Sequence, residues 1–362
     1  MRRSTLSKRT PTFASPATLP MKASTIRIPS FTLSSGQVLE DVPVAYAAAG
    51  TLNATCDNVI IVCHALTGDH RADQWWGPLI GPHLALDTTK YFVICLNVIG
   101  SPYGTLSSET VNPRTGVPYG PDFPAATIRD TVRLHSEALK QLGVRGAALA
   151  IGGSMGGMQV LEWAFMGRFV RRIMPIAVGA AHSAWCIAWS EAQRGAIRAD
   201  ARWKDGHYTA DAPPRQGLAA ARMMAMVSYR TAVNFESRFG RETMPDATST
   251  WAVSSYLSYQ GEKLVNRFDA RCYVNLTYQM DTHDVARGRG ATDEVLGGIT
   301  QPTLVVGITS DLLYPLSEQE ALANAIPGAT LATLDAPEGH DAFLVAFDQL
   351  SPLINSFLAE HV

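Results

Sequence analysis

Four short apolar runs punctuate the first half of the chain: Val59–Cys63, residues 91–96, residues 147–151 and Ile173–Ile176. They are continuous rather than alternating, as strands buried on both faces are. Residues 129–142 between them have a helical period. Val132, His135, Leu139 and Leu142 fall on one side, and Gly143 is placed to stop the helix. Upstream, residues 30–46 read as an antiparallel hairpin turning at Ser35 and Gly36. Buried strands alternating with helices predict a mostly parallel sheet flanked by helices.

The rhythm changes after Gly179. Residues 181–289 carry helical patterns without buried strands. Trp185, Trp189, Ala192 and Ala196 mark one face, Leu218, Arg222, Met226 and Tyr229 a second, and Tyr256, Tyr259, Lys263 and Phe268 a third. Strand and helix resume with residues 302–308 and Thr330–Leu334. A last helix follows, with Phe347, Leu350, Ile354, Phe357 and Leu358 on one face. The expected organisation is a flexible leader at 1–25, a core domain from 26–180 and 296–362, and a helical lid inserted at 181–295.

With 362 residues and 46% hydrophobic content, the chain can fill one large core and an insertion. A formal charge of −2 implies neither a nucleic-acid nor a membrane partner, and no apolar run is long enough to span a bilayer. Five scattered cysteines, Cys56, Cys63, Cys95, Cys186 and Cys272, lack metal-ligand spacing and read as reduced, in a cytoplasm-like compartment. The first 39 residues contain no acidic residue but carry Arg2, Arg3, Lys8, Arg9 and Lys22, so a mitochondrial address is the alternative. Pro11, Pro16 and Pro20 oppose the continuous amphipathic helix such an address uses.

The candidate chemistry centres on Gly152, Gly153, Ser154, Met155, Gly156 and Gly157, which join an apolar strand to a helical segment. This is a nucleophile elbow, G-x-S-x-G, in the strand–turn–helix context it requires. A serine hydroxyl needs a base, and the base needs an orienting carboxylate. Asp311 lies just past the strand at 302–308, and His340 on the loop after Thr330–Leu334, in the order of an α/β-hydrolase fold. Asp335 and Asp341 compete with Asp311 but lie too close to His340 in sequence. His361, next to the C-terminus, is a weaker base candidate. The backbone N–H groups of Met155 and Leu66, with Ala65 as fallback, are expected to form the oxyanion hole. His64 reads as structural.

Gly152 to Gln159 (GGSMGGMQ), with Val160 to Ala164, resembles the homoserine O-acetyltransferase family. So do His64 to Gly68 (HALTG), Asn97 to Gly104 (NVIGSPYG), Tyr119 to Pro124 (YGPDFP), Ser255 to Gly261 (SYLSYQG) and Gly339 to Asp341 (GHD). The resemblance implies an α/β-hydrolase fold, a Ser154–Asp311–His340 triad, and an acceptor site on Arg222, Tyr229 and Asp341. It further implies acetyl-CoA as acyl donor, L-homoserine as acceptor in methionine biosynthesis, no metal or prosthetic group, and a homodimer formed through the lid. Relatives that acetylate serine, or that use succinyl-CoA, are the near alternatives, and a simple esterase the more distant one. Gly153 before the nucleophile fits the homoserine-acetylating pattern.

Overall fold

The computed structural model describes residues 20–244 and 247–360, with side chains omitted at 247–249. Residues 1–19 of the leader expected at 1–25, and His361, lie outside them. One eight-stranded sheet forms the core. Its strands in chain order are β1 (Lys22–Thr32), β2 (Val38–Ala49), β3 (Val59–Cys63), β4 (Phe92–Leu96), β5 (Ala147–Gly153), β6 (Ile173–Ile176), β7 (Leu304–Ile308) and β8 (Thr330–Leu334). The spatial order is β1-β2-β4-β3-β5-β6-β7-β8. β1 and β2 are antiparallel to their neighbours, and β4 to β8 with β3 run parallel. β3, β5, β6 and β7 are buried along their whole length, which accounts for their unbroken apolar sequences.

β1 begins at Lys22, pairing with Ala48, so residues 22–25 belong to the sheet and not to a leader. The strand alternates only weakly and is largely exposed, so its sequence gives little periodic signal. At the turn, Gly36 adopts φ +85° and its N–H reaches the Leu33 carbonyl at 2.9 Å. Helix α1 (Ile128–Gln141) starts with a Thr127–Asp130 capping box. Asp130 also accepts from the Ser34 backbone and hydroxyl, binding the helix start to the hairpin.

Between β6 and β7 the chain leaves the sheet for a helical insertion: α3 (Ala184–Ala199), α4 (Arg215–Tyr229), α5 (Ala232–Phe239), α6 (Ala252–Val265) and α7 (Ala270–Asp281). α2 (Met155–Trp163) follows β5. The insertion is closed at a neck, where His182 N–H donates to the His283 carbonyl at 2.9 Å and Val285 N–H to Ala180 at 3.0 Å. The chain therefore rejoins the core near Val285, earlier than the boundary expected at 295. α8 (Thr292–Gly297) packs on α9 (Leu316–Ala325) of the core. α10 (Phe347–Ala359) closes the chain on the face formed by Leu350, Ile354, Phe357 and Leu358.

Two expected helix faces are corrected. α3 buries Cys186, Ser190, Gln193, Arg194 and Ile197, while Trp185 and Ala192 face outward. Its inner face is polar because partners wait there: Gln193 Oε1 accepts from Tyr273 at 2.7 Å, and Arg194 pairs with Asp281 at 2.8 Å. An apolar-stripe reading picks the wrong side of such a helix. In α6 the buried positions are Gly261 and Leu264, with Tyr259 and Lys263 exposed. Gly261 sits there because a Cβ would meet Ala219 of α4 at 3.1 Å.

Candidate active site

Ser154 occupies the junction of β5 and α2 with φ 58° and ψ −126°, a conformation L-residues rarely adopt. The turn holds because its flanks are glycines. A Cβ on Gly152 would meet the Cys63 carbonyl oxygen at 2.5 Å, and one on Gly156 the same atom at 2.2 Å. A Cβ on Gly157 would strike Val178 at 2.8 Å. Strand β3 and helix α2 thus approach more closely than any side chain allows.

Asp311 and His340 are joined directly: His340 Nδ1 meets Asp311 Oδ2 at 2.6 Å. The other carboxylate oxygen accepts from the backbone N–H groups of Leu313 and Tyr314 at 2.8 and 2.9 Å. Both side chains are buried. Burial opposes the charged imidazolium, but the Asp311 carboxylate, with help from the Asp341 charge, holds the His340 pKa above its usual value. His340 Nε2 is buried without a hydrogen-bond partner among the described residues. Ser154 Oγ likewise has no hydrogen-bond partner among the described residues. The two share one floor, since Gly153 lies against the Phe343 ring and that ring meets His340 edge-on, centroids 5.7 Å apart. Catalytic hydrogen bonds are often open in a ligand-free site.

The loop bearing His340 is pinned. Thr231 Oγ1 donates to the Pro337 carbonyl at 2.6 Å, and Gly339 N–H donates to Ser310 Oγ at 3.1 Å. Gly339 has φ +68°, and a Cβ there would meet the Tyr229 carbonyl oxygen at 2.8 Å. Asp335 turns away, binding Thr309 Oγ1 at 3.0 Å, which removes it as the orienting acid.

The loop after β3 is fixed by His64. Its Nδ1 meets the Ala65 carbonyl at 2.9 Å and its Nε2 accepts from Val98 N–H at 3.1 Å. Burial draws its pKa down to about 4, so the ring is neutral and structural. Gln159 Nε2 donates to the carbonyls of both His64 and Met155 at 3.1 Å, tying this loop to α2. Gln159 lies just past the elbow motif, on α2, and its bridging role is visible only in three dimensions. Met155 N–H is the first of α2, where helical geometry supplies no acceptor. Leu66 N–H has no acceptor among the described residues either. Backbone donors from these two segments, which Gln159 ties together, are of the kind a developing oxyanion needs.

Tyr229, at the end of α4, lies near both Arg222 and His340. Its ring centroid is 5.5 Å from that of His340, and the Arg222 guanidinium carbon is 5.7 Å from the same ring. Burial raises the Tyr229 pKa, keeping the phenol protonated. Arg222 has no hydrogen-bond or ion-pair acceptor among the described residues. Asp341 is engaged by a residue that sequence reasoning missed: Arg230 Nη2 lies 3.0 Å from Asp341 Oδ2, both largely buried. Arg230 follows Tyr229 at the helix end, where a basic residue reads simply as a dipole partner. Among the described residues, no group of three or more His, Cys, Asp or Glu is placed to hold a metal ion. No helix among them is long and apolar enough to cross a membrane.

A serine on a strained elbow and a buried, carboxylate-bound histidine are the groups that acyl transfer by an activated serine requires. Comparison with known proteins agrees. A sequence profile of the α/β-hydrolase fold matches residues 58–347. The homoserine O-acetyltransferase of Salinibacter ruber is 59% identical over 341 residues, covering 92% of this chain and 97% of that protein. The homoserine O-acetyltransferase of Trichormus variabilis is 53% identical over 329 residues, covering 90% and 91%. Among solved structures, homoserine O-acetyltransferase from Bacillus anthracis aligns with TM-score 0.87 at 25% identity, over 94% of this chain and 98% of that one. An acetylester hydrolase from Corynebacterium glutamicum aligns with TM-score 0.82 at 25% identity, over 93% and 96%. The chain belongs to the α/β-hydrolase fold family and, within it, to the homoserine O-acetyltransferases.

Proposed function

From that membership we propose that this enzyme transfers an acetyl group from acetyl-CoA to the hydroxyl of L-homoserine through an acetyl-serine intermediate. Ser154 Oγ attacks the thioester carbonyl while His340 Nε2 takes its proton. The negative oxygen is held by the N–H groups of Leu66 and Met155. The C–S bond breaks, and His340 returns the proton to the departing thiolate. Homoserine then enters, and His340 removes its hydroxyl proton. The new alkoxide attacks the acetyl-serine carbonyl, and the proton returns to Ser154 as the ester product leaves. Asp311 holds the imidazole with its proton on Nδ1, leaving Nε2 as acceptor.

One observation carries the acceptor assignment: Arg222, a guanidinium without a partner among the described residues, and His340 both lie against the Tyr229 ring, and Asp341, one oxygen of which pairs with Arg230, follows that histidine in the chain. Arg222 is suited to the homoserine carboxylate and Asp341 to its ammonium, with Tyr229 as the wall between. An esterase has no use for such a pair, and neither serine acetylation nor a succinyl donor is favoured by relatives 49–59% identical. The helical insertion serves as the lid that keeps water from the acetyl-serine. No prosthetic group enters this scheme.

Homodimerisation through the insertion belongs to the same reading. It is supported by the exposed Val233, Trp251 and Tyr259 on its surface, and light scattering tests it. A reducing, cytoplasmic setting is supported by all five cysteines being free. The decisive assay is coenzyme A release from acetyl-CoA with homoserine, serine or water as acceptor. Ser154→Ala is expected to lower it by more than about a thousandfold. A variant keeping a hundredth of the rate refutes Ser154 as nucleophile.

A further inference from the structure

Tyr314 is fully buried and therefore cannot touch a substrate, yet it is held on three sides, two of them by Asp311 and His340. Its backbone N–H donates to Asp311 at 2.9 Å. Its ring stacks on His340, centroids 5.3 Å apart and planes 26° apart. Its hydroxyl meets His182 Nδ1 at 2.9 Å. Deletion of that hydroxyl leaves the stack in place but frees the ring to slide.

His182 is no part of the sheet. It stands at the neck of the helical insertion, its N–H held by His283. Its Nε2 lies 3.7 Å from Asp281 Oδ1, too far for a hydrogen bond, and neither atom has a hydrogen-bond partner among the described residues; the other oxygen of Asp281 pairs with Arg194 of α3 at 2.8 Å. Burial draws the His182 pKa down to about 3, so the ring is neutral. The nearby Asp281 carboxylate favours the tautomer with the proton on Nε2, in which Nδ1 accepts from the Tyr314 hydroxyl.

We propose that Tyr314 and His182 are positioning residues that couple the helical insertion to the His340 ring, through the hydrogen-bonded chain His283, His182, Tyr314 at its neck, with the Arg194–Asp281 pair of the insertion packed beside it. The orientation of the catalytic base is thereby set by the insertion as well as by Asp311. This rests on His340 acting as the base for both half-reactions. Any displacement of the neck that moves His182 also moves the ring stacked on His340.

The test compares Tyr314→Phe, His182→Leu, His182→Asn and the Tyr314→Phe/His182→Leu double variant. Asn places Oδ1 near the position of Nδ1 and restores an acceptor. Two rates are read: the p-nitrophenol burst from p-nitrophenyl acetate, and single-turnover acetyl transfer to homoserine. Tyr314→Phe and His182→Leu should slow both by the same factor, about three- to tenfold, the kinetic equivalent of one neutral hydrogen bond. The homoserine KM should not move, His182→Asn should recover most of the rate, and the double variant should be no slower than His182→Leu. Misfolded enzyme lowers the burst amplitude rather than its rate, so poor folding does not mimic the effect. The proposal is overturned if the Tyr314→Phe burst rate stays near wild type, if the two losses multiply, or if only the homoserine KM changes. A wild-type burst without transfer to homoserine would instead refute the acceptor reading, and the burst comparison would still decide this one.

Discussion

Replacing Asp311 by Asn changes one atom and should nearly silence the enzyme. Asp311 Oδ1 accepts two backbone N–H groups, from Leu313 and Tyr314, at 2.8 and 2.9 Å. An amide must keep its oxygen there, since its NH₂ would otherwise confront two donors. The NH₂ is therefore forced to the Oδ2 position, 2.6 Å from His340 Nδ1. Nδ1 must then accept, so the imidazole proton moves to Nε2, the nitrogen that should take the serine proton. Wrong-tautomer variants of serine triads lose roughly 10⁴-fold in rate, about 5.5 kcal/mol of transition-state stabilisation. The loss should appear equally in the p-nitrophenyl acetate burst and in transfer to homoserine, because both steps use Nε2. Nitrogen-15 chemical shifts of His340 should report the Nε2–H tautomer directly. A variant retaining a tenth of wild-type turnover, or one with the proton still on Nδ1, refutes the assigned orientation.

Arg222→Lys should weaken the homoserine step by about 1.5–3 kcal/mol and leave acetylation by acetyl-CoA unchanged, since lysine lacks the planar fork; rapid-quench assays of the separate half-reactions check it. Gly153→Ala should lower kcat and the melting temperature together, because the new Cβ would lie 2.6–2.8 Å from the buried Phe343 ring beside His340. The pH profile of kcat/KM should show an acid limb above the ordinary histidine value of 6.5, because His340 must be neutral to act and its folded pKa is raised. Stability runs the other way for that group: the charged His340–Asp311 pair helps fully below 6.5 and its contribution is lost as pH rises through the raised value. His64 and His135, both drawn down to about 4, behave oppositely. The unfolded chain takes up their protons first, so stability falls as pH drops from 6.5 toward 4, measurable by denaturant titration.

The sheet was legible because its strands are buried on both faces, so that β3 and β6 appear in the sequence as bounded apolar runs. The first residues of β1 were not, because an exposed antiparallel edge strand alternates little. Ser154 was legible from its glycines, whose spacing is dictated by the approach of Cys63. Asp311 and His340 were legible from chain order at strand ends, and Asp311 is separated from Asp335 only by where each side chain turns. The inner face of α3 was illegible in principle. Gln193 and Arg194 are buried by partners on α7, and no local pattern encodes a partner 80 residues away. Arg230 escaped for the same reason, its meaning lying in its contact with Asp341.

The neck between Ala180 and Val285 also bears on how the chain reaches its fold. β6 and β7 are adjacent in the sheet, with Val306 opposite Ile176, yet residues 177–303 separate them. Closing so long a loop before any local structure exists is entropically costly. If the helices condense first and bring His182 and Val285 to their partners, the remaining span shrinks to 177–180 and 286–303. By the logarithmic loop law that difference is about 1.5 kcal/mol, or roughly tenfold in rate. The two hydrogen bonds at the neck thus act as a shortcut along the chain, letting the two halves of the sheet meet as near neighbours in sequence.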